Sequence, residues 1–176
     1  MHEIAVVAAL ILVASSQETF LVSVLPRVLP GLGVGADDVV EASGLLIFVA
    51  GAAAAVGGLV APILAEQIAE RRLLLGLLVA SSVGLVLLGT ARSFWPFGVL
   101  RGAQCLAIAP FFPLLVASVA RRGDASAIGI INAARVGSGF VGPLVATSVL
   151  ATGSAGLLYV TLGAAGIAAA FLLRRA

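Results

Sequence analysis

Apolar residues run along this chain in long blocks, and polar residues cluster in the short gaps between them. Six blocks can be drawn, approximately Ile4–Leu25, Ala42–Ala65, Leu73–Ala91, Trp95–Ala120, Ala125–Ala151 and Ala155–Leu173. Crossing the hydrocarbon core as a helix takes about 20 apolar residues. A transmembrane β-barrel needs shorter strands of alternating character, and these blocks are too long and too uniformly apolar for that. The pattern predicts an all-α membrane protein with six transmembrane helices in a single domain over residues 1–176.

Composition agrees. Hydrophobic residues make up 61% of the 176 and charged residues 10%, against about 45–50% and 25% in soluble domains. The blocks recur along the whole length, so a cleaved signal peptide does not account for them. The net charge is only +2, and the arginines form no long basic block, which argues against a nucleic-acid partner. Cys105 is the only cysteine, so no internal disulfide forms. The only histidine, His2, lies outside the blocks. An intramembrane serine hydrolase built on Ser138 therefore lacks a base, and a haem or metal protein lacks ligands. No enzyme, cofactor or metal is expected.

The gaps carry a charge bias. Arg71–Arg72, Arg121–Arg122 and Arg174–Arg175 fall on one side, and only Arg27 and Arg92 on the other. Arginine-rich loops stay in the cytoplasm, which predicts an inner-membrane protein with both termini cytoplasmic. In the longest outer gap, Asp38-x-x-Glu41 has the spacing of a capping box and marks the start of the second helix. Asp124 stands ready to cap the fifth in the same way. Trp95 sits where the fourth helix enters, a position suited to an interfacial anchor.

Two segments echo each other. Gly58-Leu59-Val60-Ala61-Pro62 in the second block and Gly139-Phe140-Val141-Gly142-Pro143 in the fifth share the pattern G-[LF]-V-[AG]-P. They lie three helices apart and cross the membrane in opposite senses, which predicts a three-plus-three inverted repeat. Small residues let helices approach closely where no hydrophobic force draws them together. Ala125, Gly129, Ala133 and Gly137 form one such row in the fifth block, and Ser138, Gly142 and Ala146 a second. Gly58, Pro62, Gly129, Ser138, Gly142 and Pro143 are thus the expected packing and hinge positions.

Few polar groups lie within the blocks. Gln17 and Glu18 are in the first, Arg101 and Gln104 in the fourth, and Asn132 and Arg135 in the fifth. A charge at the bilayer centre costs about 2.5–3.5 kcal/mol on insertion scales. These groups are therefore expected to share a polar interior walled by helices 1, 4 and 5, with helices 3 and 6 facing lipid. Glu18 and Arg101 fall at similar depth, roughly 10 Å below the outer surface, and can pair if the two helices are neighbours. Glu18 can then serve as a proton carrier or as half of a structural ion pair. Arg135 lies near mid-membrane, where it binds either an anionic substrate group or a neighbouring carbonyl.

At this point the chain resembles one half of a major facilitator superfamily transporter. In the fifth block, Gly129-x8-Ser138-x3-Gly142-Pro143-x2-Ala146-Thr147 is similar to the superfamily's antiporter motif, with serine, alanine and threonine at three of its glycine positions. In the fourth, Arg101-Gly102-Ala103-Gln104-Cys105 resembles the Arg-x-x-Gln-Gly pattern, with Cys105 for glycine. "APILAEQIAERRLLL" resembles the loop between helices 2 and 3, but only Arg71 and Arg72 of its basic cluster are kept. The resemblance implies alternating access, a cavity bordered by helices 1, 2, 4 and 5, a Gly-Pro helix acting as bend or seal, and proton-coupled efflux of a small molecule. That family has twelve helices and this chain six. A half-sized or truncated transporter is expected, working as a homodimer or with a missing second half. A six-helix channel and a non-transporting membrane subunit or fragment are the alternatives.

Overall fold

The computed structural model describes the backbone of residues 2–121 and 125–175 and the side chains of residues 4–121 and 127–174. Among these residues, six helical stretches are long and apolar enough to cross a membrane. The chain is an all-α, multi-pass membrane protein.

The first span is shorter as an α-helix than its apolar block. Helix α1 (His2–Thr19) passes into a 3-10 turn at Phe20–Ser23, then the short α2 (Leu25–Val28) and further 3-10 turns at Leu29–Leu32 and Ala36–Asp38. Residues 26–41, expected to be a loop, are largely folded. Pro26 and Pro30 each sit in a first turn, where the missing N–H costs nothing. Gly33 closes the sequence in the left-handed region, at φ 82°. Leu25, Val28, Leu29 and Leu32 are buried, so this segment caps one end of the bundle with apolar side chains.

Helix α3 (Val39–Gln67) begins at the expected place, with Asp38 at its N-cap. The capping box does not form, because Asp38 makes no side-chain cap bond. The preceding 3-10 turn feeds directly into the helix instead, and the Asp38 amide donates to the Gly35 carbonyl at 3.1 Å. Asp124, the other expected cap, lies outside the described residues. Helix α4 (Glu70–Leu88) is followed by α5 (Phe94–Ile108) and α6 (Phe111–Arg121), then α7 (Ala125–Thr152) and α8 (Ala155–Arg175). The fourth span is thus split at Ala109–Pro110. Proline has no N–H to give to the carbonyl four residues back. That carbonyl, on Leu106, faces α3: a Cβ added to Gly57 would lie 2.5 Å from it.

Helix α1 packs on α7 and α8, α3 on α5, and α4 on both α5 and α8. Exchanging the first three spans with the last three turns the α1–α7 seam into the α5–α3 seam. The echoed segments sit alike on those seams. Leu59 and Phe140 are 77% and 76% exposed, Val60 and Val141 38% and 37%. Ala61 and Gly142 are both buried, and Gly58 and Gly139 both face open space. Matched exposure at four successive positions makes the two segments structural counterparts.

Two apolar clusters form the core. One gathers Leu73, Leu74 and Leu78 with Phe111, Leu115 and Ile131. The other gathers Phe20, Leu25 and Leu29 with Phe97, Leu158 and Tyr159. Between them lies a belt of buried polar side chains. At the arginine-rich end, Arg71 donates to the carbonyls of Leu173 (3.1 Å) and Arg174 (2.5 Å), and Arg121 pairs with Glu70. Arg72 is exposed; the side chains of Arg122 and Arg175 lie outside the described residues. Trp95, at the other end, is 71% exposed and meets Phe94 edge to face.

Candidate functional site: an open groove with a charged floor

The tight seams position the site. A Cβ on Gly142 would meet Ser16 at 3.2 Å and the Thr19 hydroxyl at 3.0 Å, so α7 rides directly on α1. The Thr19 hydroxyl donates to the Ser138 carbonyl across this seam at 3.3 Å. Ser138 and Ala146 are buried on the same stripe. On the other side, a Cβ on Gly98 or Gly102 of α5 would meet Leu46 or Val49 of α3 at 3.3 Å. With α3 held to α5 and α7 held to α1, a groove of about 660 Å³ opens between α3 and α7, floored by α1 and α5. Glu18, Arg101, Cys105, Asn132 and Arg135 are its chemistry-bearing residues, and Ile47, Ala50 and Ala54 of α3 line its opposite wall.

Arg101 is the anchor of the floor. It is 2% exposed. Its Nη1 donates to the Gln17 carbonyl at 3.0 Å and to Gln104 Oε1, and its Nη2 donates to the Glu18 carbonyl. The guanidinium carbon lies 5.2 Å from the centre of the Phe20 ring. The expected ion pair between Arg101 and Glu18 is not formed among the described residues: the arginine grips the backbone of α1 rather than the carboxylate. The final turn of α1 passes into a 3-10 turn at Phe20, and late carbonyls of a helix lack intrahelical partners. A buried guanidinium supplies them. The Glu18 carboxylate is left half-exposed at the groove.

Gln17 and Gln104, expected to line the cavity, lie behind it. Gln17 is fully buried. Its Nε2 donates to Ser82 Oγ (3.2 Å) and the Leu162 carbonyl (3.0 Å), and its Oε1 accepts from Ser81 Oγ (2.8 Å). Gln104 Nε2 donates to the same Ser81 Oγ at 2.8 Å. A buried amide is stable only with its partners made, and α4 and α8 provide them. Helices α4 and α8 therefore do more than face lipid. Val83 and Leu87 of α4 and Ile167 and Phe171 of α8 point outward, while Ser81, Ser82 and the close-packed Gly163 and Gly166 face the belt.

Other expected packing positions are displaced by one residue or one face. Gly58 meets nothing within 4 Å, whereas its neighbour Gly57 carries the contact with α5. Gly129 also faces open space, and Ala133 is exposed, so of their row only Gly137, beside Leu12, faces α1 among the described residues, and the Ser138–Gly142–Ala146 row makes most of the seam. Pro62 is exposed. Both α3 and α7 run unbroken through their prolines. Asn132 and Arg135 lie on the groove wall, and the Arg135 guanidinium carbon sits 4.2 Å from the Phe112 ring centre. Ser81, Ser82, Phe112, Gly57 and Gly166 escaped the reading of the sequence; the Ser-Ser pair inside an otherwise apolar block is the one signal that pointed to the belt.

No protein-family model, no curated protein and no solved structure matches this chain.

Proposed function

We propose that this chain is a carrier that moves a small solute by alternating access, as one six-helix half of a major-facilitator-type assembly, with Glu18 carrying the coupled proton. The observation that supports it most is the groove itself. A carboxylate, two guanidinium groups and an amide share one open face, and ionisable groups inside a membrane face a cavity or a protein partner rather than acyl chains. That face needs a cover, and a second copy of the chain or a separate second half supplies it. Glu18 has no side-chain hydrogen bond or ion pair among the described residues and lines the groove. The Gly142–Pro143 stretch lies on the α1–α7 seam where the wall of the groove must shift. The resemblance in sequence favours efflux as the direction.

Reconstitution tests this reading. In proteoliposomes with an imposed pH gradient, the chain is expected to drive slow, saturable solute movement. Glu18→Gln is expected to abolish the pH dependence while leaving counterflow of solute intact. Rapid, unsaturable collapse of the gradient identifies a channel and rejects the carrier; no movement at all identifies a non-transporting subunit.

A further inference from the structure

The groove, read as a carrier site as above, also has a sign. Its charged groups are not equally available. Arg101 is spent on the Gln17 and Glu18 carbonyls and on Gln104. Glu18 supplies the one negative charge of the lining. Arg135 is different. It is exposed on the groove wall, and its N–H donors have no hydrogen-bond or ion-pair partner among the described residues. Only the face of its guanidinium is occupied, by the Phe112 ring.

Position narrows the ligand. Arg135 stands ten residues into α7, about 15 Å along the axis, too deep for a lipid headgroup at the bilayer surface. Asn132 is one turn earlier on the same face and is likewise unpartnered on the groove wall. A planar guanidinium fork beside an amide matches a carboxylate or sulfonate, which it can bind through two parallel bonds. Two guanidinium groups against one carboxylate leave the groove one positive charge in excess. The remaining lining is apolar, including Leu21, Val22, Ile47 and Val136, and the volume lies within the range of about 300–1,000 Å³ usual for small-molecule sites.

We propose that the groove binds amphiphilic organic monoanions, with the anionic head on Arg135 and Asn132 and the apolar body along α3 and the end of α1. Binding of three matched fluorophores to the protein in phosphatidylcholine nanodiscs tests it: dansylglycine (anionic), dansylamide (neutral) and dansylcadaverine (cationic). Dansylglycine is expected to bind about tenfold or more tighter than dansylamide, and dansylcadaverine weakest. Arg135→Gln is expected to bring dansylglycine to the affinity of dansylamide, with an unchanged helical circular dichroism spectrum reporting that the variant is folded. Asn132→Ala is expected to weaken dansylglycine selectively and by less. Equal affinity for the three probes, a preference for the cation, or an anion preference that survives Arg135→Gln overturns the proposal. Binding is read without a proton gradient. A chain that binds the anion but moves nothing therefore rejects the carrier reading and keeps this one, and pH-driven transport without an anion preference does the reverse.

Discussion

Gly57 and Gly58 are adjacent, identical in type and set in the same helix, yet alanine should act on them in opposite ways. At Gly57 the added methyl would meet the Leu106 carbonyl oxygen at 2.5 Å and the Pro110 ring at 3.3 Å. Neither can swing aside, since one is backbone and the other a ring closed on backbone. Helix α3 must therefore retreat from α5 by about 0.5 Å or more. A gap of roughly 0.5–1 Å forfeits a quarter to a half of the dispersion energy of each contact it opens. The contacts at risk are those of Leu46 over Gly98 and Val49 over Gly102, where an added Cβ would find the side chain at 3.3 Å. Overpacking of this kind costs about 1–3 kcal/mol. At Gly58 the methyl meets nothing within 4 Å, and the higher helix propensity of alanine contributes up to about 1 kcal/mol in its favour. Reversible unfolding in mixed detergent micelles, followed by helical circular dichroism, separates the two. Gly57→Ala should lower stability by about 1–3 kcal/mol, and Gly58→Ala should leave it equal or higher. Equal values for the two variants would refute the close α3–α5 approach.

Further outcomes follow from the belt and the loop end. Gly166→Ala places a methyl into the Gln17 amide and the Ser82 hydroxyl; it should destabilise by at least about 2 kcal/mol, and the loss should shrink when Ser82→Ala is added, as a double-mutant cycle will report. Arg101→Lys replaces a fork that reaches the carbonyls of Gln17 and Glu18 and the side chain of Gln104 by a single ammonium, and about 2–3 kcal/mol should be lost in the same unfolding assay. Arg121→Ala removes an ion pair whose side chains are 63% and 36% exposed, so its effect should stay below about 1 kcal/mol and vanish at high salt.

The six spans were legible because twenty-residue apolar blocks have few other folds open to them. The echo between residues 58–62 and 139–143 was legible too, because it repeats residue types at fixed spacing. Side-chain direction was not. Gln17 and Glu18 are neighbours in sequence, yet a helical step of about 100° sends one into the α4–α8 interface and the other into the groove. Composition cannot choose between these without the crossing of α4 and α8. The same ambiguity placed the seam at Gly58 rather than Gly57. Depth alone points to an Arg101–Glu18 pair, but the α1 carbonyls of Gln17 and Glu18 compete for the guanidinium and take it. The break at Ala109–Pro110 stayed hidden inside an apolar block because hydropathy does not register backbone donors.

The polar belt between the two apolar clusters works as an indexing pin. If α1 slid along its axis by one turn, the Gln17 amide would leave Ser81, Ser82 and the Leu162 carbonyl and enter a layer of leucines and phenylalanines where nothing can receive it. The same shift would strip the Arg101 guanidinium of both α1 carbonyls. Lengthwise slippage of the helices is thereby blocked in either direction. Motion along the helix axes is therefore far costlier than bending across them.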